Sequence, residues 1–404
     1  MSWVFLTRSG SENDLAEELG GAAEVMGEGV VATPERKKRP DATFVEPAFA
    51  RQAMTLEAAV ESGGPEEVAD ALASSMKARL PKKGTPWTWA LQIVAADGKD
   101  PHDPRRGLAK ALEELLPDAL AARLPPAVRE REVPAADAER LAQVWVPDDA
   151  TALVGLTVAT HALSREPGGK PRLRRPEDAV SRAGLKLDEA ILWLGVGPER
   201  GDRCVDLGAA PGGWTQVAIG RGAYVLAIDP ANMKVGFPPK RMGHLKASAF
   251  DYAAEETFDW LLCDMAWRPL EVAKLIAKWG RRGWARQVIA NFKLPMKKKA
   301  QMVRQVTETL QEAGWQGIRK RQLFHDRDEI TLACWLDPTI VAKGPQAAFQ
   351  VRSKARHEAG AAKKKPVGRG SRAAGRRVDA RGRAAGRSSG RGRGSGRGGP
   401  RGRR

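Results

Sequence analysis

The chain has 404 residues, of which 42% are hydrophobic, so it can bury the cores of two ordinary domains and still carry a tail. Its formal net charge of +18 is unevenly spread, because residues 351–404 hold 19 basic and two acidic residues while the remaining 350 sum to about +1. No stretch approaches the ~18 apolar residues of a membrane span and the N-terminus lacks an apolar signal region, which predicts a cytoplasmic protein without membrane contact.

Residues 1–165 are expected to form an α+β domain. Ser11 is placed to cap the first helix, which Gly20 ends, and the strands on either side predict a β-α-β start. No acid–base or metal-binding set of residues occurs here, so this half favours a structural or substrate-docking role. The expected elements are strands at 3–7 and 29–33 around that helix, a helix at 65–80, a strand at 87–95, a helix at 105–120 and a closing strand pair within 145–159.

Residues 166–180 are rich in Pro, Gly and Arg and are interpreted as a linker into a second domain, residues 181–340. Strands alternate with helices in this domain, which predicts a parallel sheet covered by helices on both faces. Residues 341–404 are rich in Lys, Arg, Gly, Ser and Pro and are expected to be disordered. The second domain should contain strands at 204–208, 223–229, 258–264 and 285–293, helices from Trp214, at 268–280 and at 297–313, and an antiparallel pair around Asp326.

The three cysteines lie inside the apolar strand-like runs of the second domain. Cys204, Cys263 and Cys334 form no C-x-x-C pair. This placement disfavours a disulfide framework or a zinc site and favours buried thiols in a reducing cytosol. We therefore expect no metal centre.

The most specific pattern is the run Asp206-Leu-Gly-Ala-Ala-Pro-Gly-Gly-Trp-Thr215, which connects a strand to a helix at the sheet edge where open α/β folds bind ligands. Its glycines allow the backbone to approach a ligand closely. Asp206 is placed to face a cationic amino group, and Asp229, which ends the next strand, to accept hydrogen bonds from a ribose diol. The run lacks the spacing and the lysine of phosphate-binding loops, so it favours a nucleoside that carries a positively charged amino acid. An ordinary strand-to-helix turn, with both aspartates as caps, is the alternative.

This run and the following Ala-Ile-Asp-Pro resemble the cofactor loop of FtsJ-type 2′-O-methyltransferases. Where the common FtsJ form has Pro-Asn after Asp-Met, this chain has Asp264-Met-Ala-Trp-Arg-Pro269, which resembles the RlmM branch. Members of that branch methylate a cytidine ribose in bacterial large-subunit rRNA. The resemblance is strong over 181–337, weaker over 1–165, and absent over 351–404. Its further motifs are residues 181–190, 263–265, 291–299 and 325–331.

The resemblance implies a Rossmann-like methyltransferase domain that follows a ferredoxin-like and THUMP-type RNA-binding domain. It implies S-adenosyl-L-methionine as cofactor, 23S rRNA or a precursor of the large subunit as partner, and no DNA. The sequence does not reveal the oligomeric state, for which a monomer is the expectation. Asp206 and Asp229, discussed above, belong to the cofactor-binding set that the resemblance implies. The full set is Ser181, Asp206, Gly208, Ala210, Pro211, Gly212, Gly213, Trp214, Asp229, Asp251 and Asp264.

Four residues match the Lys-Asp-Lys-Glu catalytic tetrad of the family. A ribose 2′-hydroxyl keeps its proton near neutral pH, so an enzyme must align its oxygen with the methyl group and help remove one proton. Asp264 and Lys293 end neighbouring predicted strands, Glu329 starts an antiparallel one, and Lys186 lies on the preceding helix. Lys293 is predicted to accept the proton, Asp264 to orient it, and Lys186 and Glu329 to position the ribose and tune Lys293. Taken singly, each residue has an ordinary explanation as a solvated position, a helix cap or an ion-pair partner.

Weaker candidates surround this group. Ser181 is expected to cap its helix and touch the cofactor, and Asp251 to contact the adenine, although a surface turn explains Asp251 equally well. His325 and Asp326 are interpreted as turn residues, and Trp267 as the tryptophan placed to meet RNA. The Arg-Gly run of the tail either neutralises phosphates or serves as a solubilising extension. Alternative functions are a 2′-O-methyltransferase of tRNA or another rRNA site, and a non-catalytic RNA-binding assembly factor.

Overall fold

A computed structural model describes residues 2–20, 22–34, 46–98, 100, 102–234 and 240–336 of the chain. The predicted disordered tail, residues 341–404, lies outside the described residues. In chain order the elements are β1 (Trp3–Thr7), α1 (Glu12–Leu19), β2 (Glu24–Gly27), β3 (Val30–Ala32), β4 (Ala50–Val60), α2 (Pro65–Ala78), β5 (Trp89–Ala95), α3 (Arg105–Arg123), α4 (Pro126–Arg129), β6 (Arg140–Val146), β7 (Ala152–Val158), α5 (Gly184–Leu194), β8 (Arg203–Leu207), α6 (Gly213–Gly220), β9 (Tyr224–Ile228), β10 (Met242–Leu245), β11 (Phe258–Cys263), α7 (Pro269–Arg282), β12 (Ala285–Lys293), α8 (Lys299–Gln311), β13 (Gln316–Arg321) and β14 (Glu329–Trp335).

The N-terminal sheet has the strand order β2-β3-β1-β4-β7-β6-β5 and is antiparallel except for the β5–β6 pair. Helices α2 and α3 pack together on it through Leu72, Leu112 and Leu116. The predicted β-α-β start is wrong, because β3 is the antiparallel neighbour of β1. Ser11 occupies the N-cap position of α1, but its side chain makes no capping hydrogen bond.

The C-terminal sheet has the order β10-β9-β8-β11-β12-β14-β13. The first five strands are parallel, β14 runs antiparallel to β12, and β13 and β14 form the antiparallel pair that the sequence predicts. Successive side chains of a strand point to opposite faces. Leu261 and Cys263 accordingly pack with α7 and α8, whereas Trp260 and Leu262 pack in the core that includes α5 and α6. The chain is therefore mixed α/β, with helices on both faces of a mostly parallel sheet.

The segment interpreted as a linker contacts the N-terminal sheet over its first residues. A short 3-10 turn, Pro167–Gly169, brings Gly169 against the backbone of Arg51, and Lys170 Nζ lies 2.6 Å from Asp97 Oδ1. Residues 171–180 contain no helix or strand. The contact of residues 167–170 therefore fixes where the chain leaves the N-terminal sheet.

Cys204, Cys263 and Cys334 are buried free thiols, as predicted. Burial raises the pKa of the Cys263 thiol to about 12, so it stays protonated. Within the part of the chain that the structure describes, no helix has the length and apolar character needed to cross a bilayer. The same residues contain no group of three or more His, Cys, Asp or Glu side chains arranged to hold a metal ion.

Candidate active site

The sheet topology places four charged side chains at one edge. Strands β8, β11 and β12 run parallel, so their carboxyl ends meet there, and antiparallel β14 begins there. Asp264 follows β11, Lys293 ends β12, and Glu329 begins β14 as the direct cross-strand partner of Lys293. Lys186, on the first turn of α5, completes the group.

Ion pairs join these four side chains into one chain of contacts. Lys186 Nζ lies 3.4 Å from Asp264 Oδ1 and 3.3 Å from Glu329 Oε1. Lys293 Nζ donates to the same Glu329 oxygen at 2.8 Å. The order Asp264–Lys186–Glu329–Lys293 therefore alternates negative and positive charges.

Burial and charge together set the protonation of the group. Burial raises the pKa of Asp264, although Lys186 and Asn291 oppose the rise. Burial would also raise the pKa of Glu329, but hydrogen bonds from Lys293 and the Arg327 N–H, with the charge of Lys186, lower it to about 2. Burial disfavours the ammonium form of Lys186, but the charges of Asp264, Glu329 and Asp326 outweigh it and raise its pKa. Lys186 and Glu329 are thus held as ions.

The two lysines differ in their access to solvent. The Lys186 side chain is 14% exposed and contacts two carboxylates. The Lys293 side chain is 51% exposed and contacts one. Lys293 is therefore the amine that water or a bound molecule can reach.

The glycine turn between β8 and α6 lies against this group. Gly208 and Gly212 have φ of +73° and +114°, a region that L side chains rarely adopt. A Cβ at Gly208 would lie 2.4 Å from Met265 Cγ, and a Cβ at Gly213 would lie 2.3 Å from Ser181 Oγ. A side chain at these points would be strained or would displace a neighbour, and the turn touches both Ser181 and the residue after Asp264.

Asp206 and Asp229 take different positions at this edge. Asp229 accepts hydrogen bonds from the N–H groups of Ala210, at 3.1 Å, and Ala231, at 2.7 Å, so it holds the turn at its strand tip. Asp206 is 1% exposed and accepts the Thr215 hydroxyl at 2.6 Å. Burial, with the nearby charges of Asp264 and Asp229, raises the pKa of Asp206 to about 7 despite that hydrogen bond.

The remaining candidate cofactor residues have mainly local contacts. The Trp214 ring is buried and donates from Nε1 to Ala183 O at 2.9 Å, so it ties α6 to the start of α5. Ala183 rather than Ser181 is the N-cap of α5, and Ser181 Oγ accepts the Ala183 N–H. Ala210 and Pro211 form the bend of the turn through a cis peptide bond. Asp251 lies in an exposed turn, and its contact with adenine stays a prediction.

A layer of polar side chains lies beneath the four charged ones and was not predicted from the sequence. Asn291, Asp326 and Thr331 are each at most 1% exposed and bonded to one another. Asp326 does lie in the turn between β13 and β14, as predicted, but it is buried. A polar Asn at an otherwise apolar position of β12, two residues before Lys293, was the signal that could have revealed this layer.

Comparisons with known proteins identify the family of this chain. The model of the FtsJ-like methyltransferase family matches residues 179–306, which include the glycine turn and three of the four charged residues. The protein named ribosomal RNA large subunit methyltransferase M from Alkalilimnicola ehrlichii is 34% identical over 356 residues, covering 82% of this chain and 94% of the relative. The chain belongs to the ribosomal RNA large subunit methyltransferase M family. The Stenotrophomonas maltophilia member of that name is 35% identical over 353 residues, covering 81% and 95% of the two chains.

Proposed function

We propose that this protein transfers a methyl group from S-adenosyl-L-methionine to the ribose 2′-hydroxyl of a cytidine in 23S rRNA. The observation that carries the proposal is the convergence of Lys186, Asp264, Lys293 and Glu329 beside the glycine turn. The names of the relatives supply large-subunit rRNA as the substrate class. The cytidine and the 2′-oxygen come from the RlmM resemblance of the motifs.

The residues of the edge suit the cofactor. Asp206, Asp229 and Asp264 lie close enough for the charges of the last two to act on the first. The carboxylates of Asp229 and Asp264 complement a molecule with a cationic amino group and a sulfonium. Asp229 at the tip of β9 is placed for a ribose diol, and the N-terminus of α6, which begins at Gly213, is placed for a carboxylate. When bound, the cofactor supplies an electrophilic methyl group.

The protein's own residues then position the oxygen of the substrate 2′-hydroxyl and accept its proton. Lys186, held as an ammonium by two carboxylates, donates hydrogen bonds that position the substrate oxygen. Lys293 in its amine form would accept the hydroxyl proton at Nζ. The cofactor would supply the methyl group, whose bond to sulfur breaks as its bond to the ribose oxygen forms. Glu329 stays ionised between the two amines and stabilises the ammonium that forms on Lys293. Asp264 fixes Lys186 from the other side.

Exposed groups around this edge suit an RNA strand. Trp267, 54% exposed, and Arg268 follow β11, while Met296, 97% exposed, and Lys297 follow β12. An aromatic face with neighbouring cations is what single-stranded bases and phosphates bind. We extend the proposal to residues 1–165 as a THUMP-type RNA-binding domain, to residues 341–404 as a phosphate-binding tail, and to action as a monomer in the cytoplasm.

The deciding experiment maps 2′-O-methyl positions in the rRNA and tRNA of a strain that lacks this protein. We expect one cytidine of 23S rRNA to lose its methyl group and to regain it when the wild-type protein is supplied. The Lys293→Ala variant is the matched control and should not restore it. Loss of a tRNA methyl group instead would move the substrate to tRNA. An unchanged methylation map would contradict the enzyme and favour an assembly factor.

A further inference from the structure

One face of the β12–β14 ladder changes from apolar to charged toward the active edge. The cross-strand pairs Ile289–Ala333, Asn291–Thr331 and Lys293–Glu329 follow one another at two-residue intervals, so they share one face of the sheet. Ile289 and Ala333 belong to the apolar core on the α5 side. The Asn291–Thr331 pair therefore lies between that core and the catalytic charges.

The side chain of Asn291 touches the catalytic aspartate directly. Its Nδ2 lies 3.2 Å from Asp264 Oδ1 and 3.4 Å from Asp326 Oδ1. Both of these atoms are carboxylate oxygens, so the amide must present its N–H groups to them and its oxygen to the other side. Thr331 Oγ1 lies at that other side, 2.5 Å from Asn291 Oδ1.

Asp326 is the third member of this buried hydrogen-bond network. One carboxyl oxygen, Oδ2, lies 3.0 Å from Thr331 Oγ1 and accepts the Leu323 N–H at 3.0 Å. The single proton of the Thr331 hydroxyl goes to the closer acceptor, Asn291. Burial raises the pKa of Asp326 to about 7, so its carboxyl can carry the proton that completes the contact with Thr331. Every polar atom of the Asn291 amide then has a partner.

We propose that Asn291, oriented by Thr331 and Asp326, is a positioning residue that fixes the Asp264 carboxylate against Lys186. Asp264 is bonded on Oδ1 by both Asn291 and Lys186, so a rotated Asn291 amide would put its oxygen against that carboxylate and push it away. The inference rests on the proposed function, because it assigns Asn291 to the same reaction. It adds a layer that sets geometry without touching the substrate.

A pair of substitutions at Thr331 separates positioning from packing. Thr331→Val keeps the shape and removes the hydroxyl, whereas Thr331→Ser keeps the hydroxyl and loses buried methyl contact. If the hydroxyl orients Asn291, the valine variant loses kcat by about 10- to 100-fold, since small misplacements at a reacting centre have effects of that size. The serine variant should then recover most of the kcat. A merely structural role predicts the opposite order, because valine suits a buried strand better than serine.

The assay uses the full-length protein, 23S rRNA and radiolabelled S-adenosyl-L-methionine, with KM for the cofactor and Kd for S-adenosylhomocysteine measured alongside. Both constants should stay unchanged in the valine variant. Thr307→Val is the matched control, because it removes a hydroxyl bonded to Val303 O on α8, on the other side of the sheet, and should keep its kcat. An unimpaired valine variant, or a serine variant as slow as the valine one, would overturn the inference.

Two further results keep the inference separate from the proposed function. A wild-type protein that methylates no ribose counts against the proposed function, and a crystal structure of Thr331→Val then still tests the positioning. Asn291 Nδ2 should leave hydrogen-bond distance of Asp264 Oδ1 in that structure, and an unmoved amide would refute the role. If Thr331→Val does not fold, Asn291→Asp replaces it, because it keeps the shape, loses the donor and should give the same loss of kcat.

Discussion

Replacing each of the two active-site lysines by methionine should have different consequences, because their surroundings differ. Methionine keeps an unbranched side chain and removes the charge. Lys293 is half-exposed with one carboxylate partner, so Lys293→Met should change the free energy of unfolding by no more than ~1 kcal/mol, the range of solvent-accessible ion pairs. Lys186 is enclosed by Asp264 and Glu329, so Lys186→Met leaves the buried Asp264 carboxylate without its cation and Glu329 with Lys293 alone, and it should cost ~3–5 kcal/mol.

The same two methionine substitutions should show that the effect on turnover is distinct from the effect on stability. A positioned general base contributes about 10²- to 10⁴-fold to a rate, so Lys293→Met should lose that factor in kcat while Kd for S-adenosylhomocysteine is unchanged. Lys293→Arg is the control for charge, since arginine keeps the cation but does not give up its proton near neutral pH. Unfolding in urea and single-turnover methylation of 23S rRNA measure the two effects.

Two results would refute this reasoning. Activity of Lys293→Arg close to that of the wild type would show that a cation at this position suffices, and the assignment of Lys293 as proton acceptor would be wrong. Equal destabilisation by the two methionine substitutions would show that the buried ion pairs of Lys186 do not hold the edge together.

Three further predictions concern other parts of the molecule. Asp206 is buried with its pKa raised to about 7, so the folded protein binds a proton that the unfolded chain loses near pH 4. The contribution of this proton to stability is complete below pH 4 and is lost as the pH rises through about 7. The urea midpoint of unfolding should therefore fall between pH 5 and 8, and it should fall less steeply in the Asp206→Asn variant. Gly213→Ala places a Cβ against Ser181 Oγ and should weaken binding of S-adenosylhomocysteine in calorimetry, whereas Gly220→Ala, where a Cβ meets nothing within 4 Å, should not. Removing residues 351–404, which carry a net charge of +17, should weaken RNA binding at low salt and leave cofactor affinity intact; equal RNA affinity with and without them would exclude a binding role.

The strands that carry the site were predictable because they are locally distinctive. Residues 204–208, 258–264 and 285–293 are apolar runs that end in a charged or glycine residue, and the parallel arrangement then places those ends together. Strand β4 was not predicted, since Ala50–Val60 is rich in alanine and polar residues and follows no clear alternation. Its place between β1 and β7 is decided by pairing with residues far away in the chain.

The lack of a helix cap from Ser11 and the arrangement of the buried polar layer could not be predicted from local sequence patterns. Ser11 has the right residue type and position for a cap, yet its side chain makes no such bond, because residue type does not fix a rotamer. Asn291, Asp326 and Thr331 were invisible as a group because they come from a strand, a turn and a second strand. Only the β12–β14 register brings Asn291 opposite Thr331. Local patterns therefore revealed which residues reach the edge but not what lies beneath them.

The antiparallel strand β14 explains how a carboxylate from late in the chain joins an edge otherwise built from carboxyl ends of parallel strands. An antiparallel strand presents its beginning there, so Glu329, its first residue, pairs with Lys293, the last residue of β12. Side chains alternate between faces, so a slip of one residue in this register would turn Glu329 and Thr331 to the α8 side together. The Lys293–Glu329 ion pair and the Asn291–Thr331 contact would then be lost together. The register is set by the apolar pairs further along, such as Ile289–Ala333, and the hydrophobic core of the sheet thereby determines the spacing of the active-site charges.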